Sequence, residues 1–207
     1  MSPGTSLPRL YAIVDTSLLP SGLPVLQSFV GELVAAGATL LQYRNKLAGT
    51  RAALSEAREL RGAAGNATLV MNDRADLCLA AGFDGVHLGQ DDLSVEAARR
   101  VVGSRLWVGV STHNPVQVRE ADASPADYIA VGPVFATRSK RNPDPVIGLE
   151  GVKEARCATR KPLVAIGGIN RENCRDVIAA GADSVAVISD LVESPGKSVE
   201  DFLRILG

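Results

Sequence analysis

Eight short runs of aliphatic and β-branched residues recur along the chain: LYAIVD (10–15), TLLQYR (39–44), TLVMND (68–73), GVHLG (85–89), LWVGVS (106–111), YIAVGP (128–133), LVAIGG (163–168) and SVAVIS (184–189). Runs that are apolar on both faces suit parallel strands covered on both sides, rather than half-exposed antiparallel ones. The segments between them, such as TRAALSEARELRGAAG and SVEAARRVVG, are rich in Ala, Glu and Arg at helical spacing. Several start on Ser, Thr or Asn, residues that cap helix N-termini. AAGAT, AAGFDGV and AAGADSV each put a glycine where a helix should end and the next strand begin. Eight strand–helix units without a linker or low-complexity break predict an α/β fold: a single (β/α)8 TIM-barrel domain over residues 1–207. An open doubly wound sheet competes, but usually has only about five or six strands.

Bulk composition narrows the function classes. The chain has 207 residues, 46% hydrophobic and 22% charged, with a net charge of −1. These values suit a globular enzyme and offer no basic surface for nucleic acid or an acidic membrane. Three cysteines, Cys78, Cys157 and Cys174, are odd in number and widely spaced. They form neither a disulfide framework nor a CxxC metal site and suggest a reducing compartment. Cys78 and Cys174 fall in helical segments and read as buried thiols. With no signal-peptide pattern and no run of about 18 apolar residues, the expected location is the cytoplasm.

Candidate chemistry gathers where the strands end. Asp73 and Asp92 follow the third and fourth strands, and barrel enzymes place catalytic groups at that rim. Two carboxylates with no accompanying Cys or His cluster suit Mg2+ better than Zn2+. An alternative reading makes Asp73 a helix cap and Asp91 and Asp92 turn residues. After the second strand, QYRNK places Arg44 and Lys46 two residues apart, so extended backbone projects both to one side, as for an anion. Ser111 ends the fifth strand. GPVFATRSKRNPDP, with Thr137, Arg138, Ser139, Lys140 and Arg141, resembles a phosphate clamp or lid. Gly167 and Gly168 in IGGIN offer a phosphate close access to backbone. No Ser-His-Asp arrangement, cysteine nucleophile or GxGxxG helix start is present. His87 reads as a satisfied interior residue, and His113, just past the fifth strand, has no assigned role. Metal-assisted departure of pyrophosphate would need no protein nucleophile.

The chain resembles the thiamine-phosphate synthase (thiamine-phosphate pyrophosphorylase) family over nearly its whole length. The resemblance rests on LQYRNK, NDRADLCLAAGFDGVHLGQDDL, GVSTHN, YIAVGPVFATRSK, AIGGIN and AVIS, in that order. It implies a TIM barrel that joins 4-amino-2-methyl-5-(diphosphooxymethyl)pyrimidine to a 4-methyl-5-(2-phosphoethyl)thiazole or its carboxylated form, releasing pyrophosphate. It implies Asp73 and Asp92 as Mg2+ ligands. Gln42, Tyr43, Arg44, Asn45 and Lys46, with Asn72, Ser111 and Lys140, would hold the pyrimidine pyrophosphate. Thr137, Arg138, Ser139, Gly168, Ile188 and Ser189 would hold the thiazole phosphate. Arg44, Lys46, Ser111 and Lys140 would carry the catalysis. The partners are then small-molecule substrates, with no nucleic acid or membrane; assembly into a homo-oligomer stays open.

The family usually has an acid where Asn45 stands and Thr where Ser139 stands. Neither change deletes an expected ligand. Two rivals share the fold. One is a thiazole tautomerase-like paralogue, which needs no metal site and for which His113 could move a proton. The other is a non-catalytic barrel that binds thiazole phosphate.

Overall fold

Every second side chain of each strand points into the barrel, and that alternation positions the site. A computed structural model describes residues 7–20, 22–137 and 144–207. The strands are β1 (Leu10–Asp15), β2 (Leu40–Arg44), β3 (Thr68–Asn72), β4 (Gly85–Leu88), β5 (Trp107–Thr112), β6 (Tyr128–Val131), β7 (Leu163–Ile166) and β8 (Ser184–Val187). Each pairs in parallel with its sequence neighbours, and β1 pairs with β8 to close the barrel. Among the described residues the helices are α1 (Leu23–Ala35), α2 (Thr50–Ala63), α3 (Ala75–Ala81), α4 (Val95–Val102), α5 (Pro115–Ala123), α6 (Gly148–Ala158), α7 (Cys174–Ala179) and α8 (Pro195–Leu206). All eight expected strands are present. The expected β6 and β7 run two residues too long, because the backbone turns away at Gly132–Pro133 and at Gly167 and Gly168, which have positive φ.

The alternation sorts two apolar layers. Leu10, Ala12 and Val14 of β1, with Leu41 and Tyr43 of β2, pack outward against helix residues such as Leu33, Ala57 and Phe202. Tyr11, Ile13, Leu40, Val70, Tyr128, Ala130, Val164 and Ala186 fill the barrel instead. Two tyrosines inside so narrow a barrel need small neighbours. Gly109 supplies one: a Cβ there would lie 2.0 Å from Tyr128 Cζ.

A repeated polar staple closes the opposite end, at the strand N-termini. Asp84, Asp127 and Asp183 immediately precede β4, β6 and β8. Each accepts a backbone N–H from the preceding strand, at 2.8 Å: Leu69, Val108 and Leu163. Each also pairs with an arginine of the helix two units back, Arg61, Arg99 or Arg156. Those arginines reach the loop carbonyls of Ala67, Leu106 and Lys161 as well. One Asp–Arg unit therefore satisfies loop backbone groups that would otherwise lack partners. Burial alone would raise the Asp127 carboxyl, but the Val108 N–H and Arg99 outweigh it and hold its pKa below the usual range. Cys78 and Cys174 are buried, as expected, whereas Cys157 is exposed. Among the described residues no helix is long and apolar enough to cross a membrane.

Removing one staple should cost stability, not chemistry. Asp127→Ala leaves the Val108 N–H without its acceptor and Arg99 without its carboxylate partner, and is expected to cost about 2–3 kcal/mol in urea denaturation. The depressed pKa sets the pH dependence. Asp127's contribution is present above the unfolded carboxylate pKa of about 3.9 and is lost as acid protonates the folded residue. The gap between wild type and variant should therefore shrink in strong acid.

Candidate active site

At the strand C-termini the barrel opens into a cavity of about 440 Å3. Its wall includes Gln42, Arg44 and Lys46 of the β2 segment, Asn72 and Asp73 after β3, Asp92 after β4, and Ser111 at the end of β5. Thr137, Gly168, Ile188 and Ser189 line it from the ends of β6 to β8. Arg138, Ser139, Lys140 and Arg141 lie outside the described residues. The i, i+2 rule holds for Gln42, Arg44 and Lys46, and it also corrects the expectation for the residues between them. Tyr43 and Asn45 face α2, where the Tyr43 hydroxyl and the Asn45 amide both donate to Glu56, at 2.6 and 2.8 Å. Asn45 also accepts the backbone N–H groups of Leu47 and Ala48, so it shapes the β2–α2 turn and does not line the cavity.

Each charged group at the rim is held by a second one. Asp15, buried at the end of β1, is the register partner of Arg44 and takes its Nη1 at 2.5 Å. Asp15 also accepts from the backbone N–H and hydroxyl of Ser17, which fixes the carboxylate against the guanidinium. This support was missed in the sequence, where Asp15 looked only like a strand end. Lys46 Nζ sits 3.0 Å from Asp73 Oδ2. Asp73 occupies the left-handed region (φ 64°), among the described residues the one non-glycine to do so, and its side chain does not cap α3. A non-glycine residue held there marks a position whose backbone is set by something other than local preference. Asp92 accepts the Gly89 N–H at 2.7 Å, so it does close a turn. Burial first, then hydrogen-bonding contact with the Asp73 carboxyl, raises its pKa.

Asp73 and Asp92 are thus pressed together, with Lys46 as their neighbouring cation. Hard carboxylate oxygens crowded enough to raise a pKa suit a divalent cation that would relieve their repulsion. Among the described residues no group of three or more His, Cys, Asp or Glu forms a protein-only cage. An ion here would share its coordination with substrate or water, as Mg2+ commonly does.

The two histidines differ in setting. His87 is 8% exposed, stacks on Tyr128 and is pushed down to about 4 by burial, so it is neutral near pH 7. It is a satisfied interior residue, as expected. His113 lines the cavity, with Nδ1 2.6 Å from the Gly132 carbonyl and Nε2 3.5 Å from Asp144.

A sequence model of the family described as thiamine monophosphate synthase matches residues 10–191. A thiamine-phosphate synthase of Koribacter versatilis (strain Ellin345) is 60% identical over 210 residues, covering 100% of this chain and 99% of that protein. The chain belongs to the thiamine monophosphate synthase family. Membership makes it an enzyme of the transferase class in thiamine biosynthesis. A thiamine-phosphate synthase of Chloroflexus aurantiacus (strain ATCC 29366 / DSM 635 / J-10-fl) is 45% identical over 186 residues, 89% of this chain and 85% of that one. The solved thiamine phosphate pyrophosphorylase from Pyrococcus furiosus superposes with a TM-score of 0.85 at 36% identity, covering 96% of this chain and 95% of that one.

Within this member of the thiamine monophosphate synthase family, the double glycine does more than open the backbone to a ligand. A Cβ on Gly168 would fall 2.6 Å from the Ala136 carbonyl and 2.7 Å from Phe135 Cβ, and its φ is +65°. The β6–α6 loop also donates Val134 N–H to Ile166 O and Phe135 N–H to Gly167 O. The glycines therefore seat that loop on the end of β7. Gly168→Ala is expected to cost about 2–4 kcal/mol in denaturant unfolding, from left-handed strain plus overpacking. A loss confined to ligand affinity, with stability unchanged, would show that the loop gives way easily.

Proposed function

We propose that this enzyme condenses 4-amino-2-methyl-5-(diphosphooxymethyl)pyrimidine with 4-methyl-5-(2-phosphoethyl)thiazole, or its carboxylated form, to give thiamine phosphate and pyrophosphate. The observation that carries this reading is the division of one cavity. Arg44, Lys46, Asn72, Asp73, Asp92 and Ser111 line it from the ends of β2 to β5, and Thr137, Gly168, Ile188 and Ser189 from the ends of β6 to β8. The first group suits a metal-bound diphosphate and the second a monophosphate held by backbone and hydroxyl groups.

In this mechanism Arg44, kept in place by Asp15, and Lys46 offset negative charge that grows on the diphosphate as its bond to the pyrimidine methylene breaks. Ser111 donates a hydrogen bond to the same group. Mg2+ bound by Asp73 and Asp92 would supply further charge neutralisation. The thiazole nitrogen attacks the methylene carbon, whose positive charge the amino-substituted ring delocalises. Holding both substrates in one cavity removes much of the entropy cost of bringing them together. The anion roles that the sequence suggests for Arg138, Ser139 and Lys140, outside the described residues, belong to the same proposal. The reaction is placed in the cytoplasm.

The tautomerase-like reading leaves the paired carboxylates and the Arg44–Lys46 pair without a task, and the binding-only reading does the same. Release of pyrophosphate from the two substrates together tests the synthase against both.

The metal assignment makes a separate prediction. Asp73→Asn and Asp92→Asn should each shift the Mg2+ dependence of pyrophosphate release to higher concentration, with at most partial rescue by excess metal. Asn tolerates the left-handed region as Asp does, so the Asp73→Asn fold should persist. If Mg2+ titrations of wild type and both variants superimpose, these carboxylates do not hold the ion.

A further inference from the structure

The proposed reaction gives Ser111 a task but none to Tyr11, Tyr128 and His87, the buried polar side chains that link it to Gln42. Gln42 Nε2 lies 2.8 Å from the Tyr11 hydroxyl, which lies 3.0 Å from the Tyr128 hydroxyl. The Tyr128 hydroxyl is 3.0 Å from His87 Nδ1, and His87 Nε2 is 2.9 Å from Ser111 Oγ. These five side chains come from inward positions of β2, β1, β6, β4 and β5, and all five border the cavity lined above apart from Tyr128, which is 1% exposed beneath it.

A buried hydroxyl that accepted from both neighbours would leave its own hydrogen without a partner, so each member passes one hydrogen to the next and the chain has only two senses. The Gln42 amide nitrogen can only donate, so the Tyr11 oxygen accepts. The Tyr11 hydrogen then goes to Tyr128, and the Tyr128 hydrogen to His87 Nδ1. A neutral imidazole that accepts at Nδ1 carries its proton on Nε2. It therefore donates to Ser111 Oγ, and the Ser111 hydrogen is left to point into the cavity. The reverse sense would turn Ser111 toward His87 as a donor and offer only lone pairs to a ligand beside Arg44 and Lys46, where anions collect.

We propose that Tyr11, Tyr128 and His87 are positioning residues: they lock His87 in the Nε2–H tautomer and so present the Ser111 hydroxyl to the departing diphosphate as a donor. The role given to Ser111 rests on the synthase reading above; the polarity of the chain does not. His113 provides an internal contrast. Its Nδ1 meets a carbonyl oxygen, which can only accept, so His113 carries a proton on Nδ1. The sequence has two histidines; His87 should lack a proton on Nδ1 and His113 should carry one there.

Long-range 1H–15N correlation spectra of the 15N-labelled full chain near pH 7.5, assigned with His113→Gln, read both tautomers without any turnover. The expected result is Nε2–H for His87 and Nδ1–H for His113. His87 protonated on Nδ1 overturns the proposal, whether or not the protein makes thiamine phosphate. The functional half uses Tyr128→Phe, which keeps the ring and its stacking on His87. It should lower kcat for pyrophosphate release about tenfold and leave KM for thiazole phosphate unchanged, as for a contact that strengthens in the transition state. Tyr128→Phe added to Ser111→Ala should slow the enzyme no further than Ser111→Ala alone. Independent, multiplying losses would show that Tyr128 does not act through Ser111. Absence of pyrophosphate release from wild type would remove the synthase reading, while the spectra still decide the polarity.

Discussion

Closure of eight parallel strands into a small barrel is the constraint on which everything else depends. Once β8 pairs with β1, side-chain direction is fixed by position parity, and each strand has two fates for its residues. One set packs outward on helices and the other fills the barrel interior and, toward the strand C-termini, lines the cavity. That space holds two tyrosines, a histidine and a glutamine beside aliphatic side chains. Their burial is tolerable because each polar atom has a partner, and no buried side-chain nitrogen or oxygen among the described residues lacks one. Small residues make the fit possible: Gly109 leaves room for the Tyr128 ring.

The two ends of the barrel divide the work. At the strand N-termini, three Asp–Arg staples satisfy backbone groups with the same geometry in three successive pairs of units. Their job is to hold strand ends and loop carbonyls together. At the strand C-termini the charged groups are held under tension. Arg44 is fixed by a buried aspartate, Asp73 sits in the left-handed region, and burial together with the neighbouring Asp73 carboxyl raises the Asp92 pKa. Repulsion that would be a defect in a structural cluster suits the cation and anionic substrate proposed for this rim. A further arginine supports the far side: Arg171 grips both oxygens of Asp190, the residue after Ser189.

The hydrophobic pattern alone specified eight strands and their order, because a chain that repeats buried strand and amphipathic helix has few ways to cover both faces of a sheet. It also brought Arg44, Lys46, Asp73, Asp92, Ser111, Gly168 and Ser189 to one rim, since strand ends in a parallel barrel share a side. Asn45 and Tyr43 were drawn in with them by a motif taken as a block, although their odd offset from Gln42 and Arg44 already pointed them at α2. Asp84 and Asp183 were visible in AAGFDGV and AAGADSV only as part of helix endings, and Asp127 not at all, because their arginine partners lie 23 to 28 residues away.

Short-range periodicity thus determined this protein's elements, their parity and the rim on which its chemistry sits. Only the tertiary structure decided which polar groups meet. Asp15 finds Arg44 through strand register, and Tyr11 finds Tyr128 across the barrel, 117 residues apart in sequence. Such pairings depend on closure, strand stagger and the room left by residues such as Gly109. These are properties of the packed barrel, whose interior couples all eight strands at once, and no local stretch of sequence carries them.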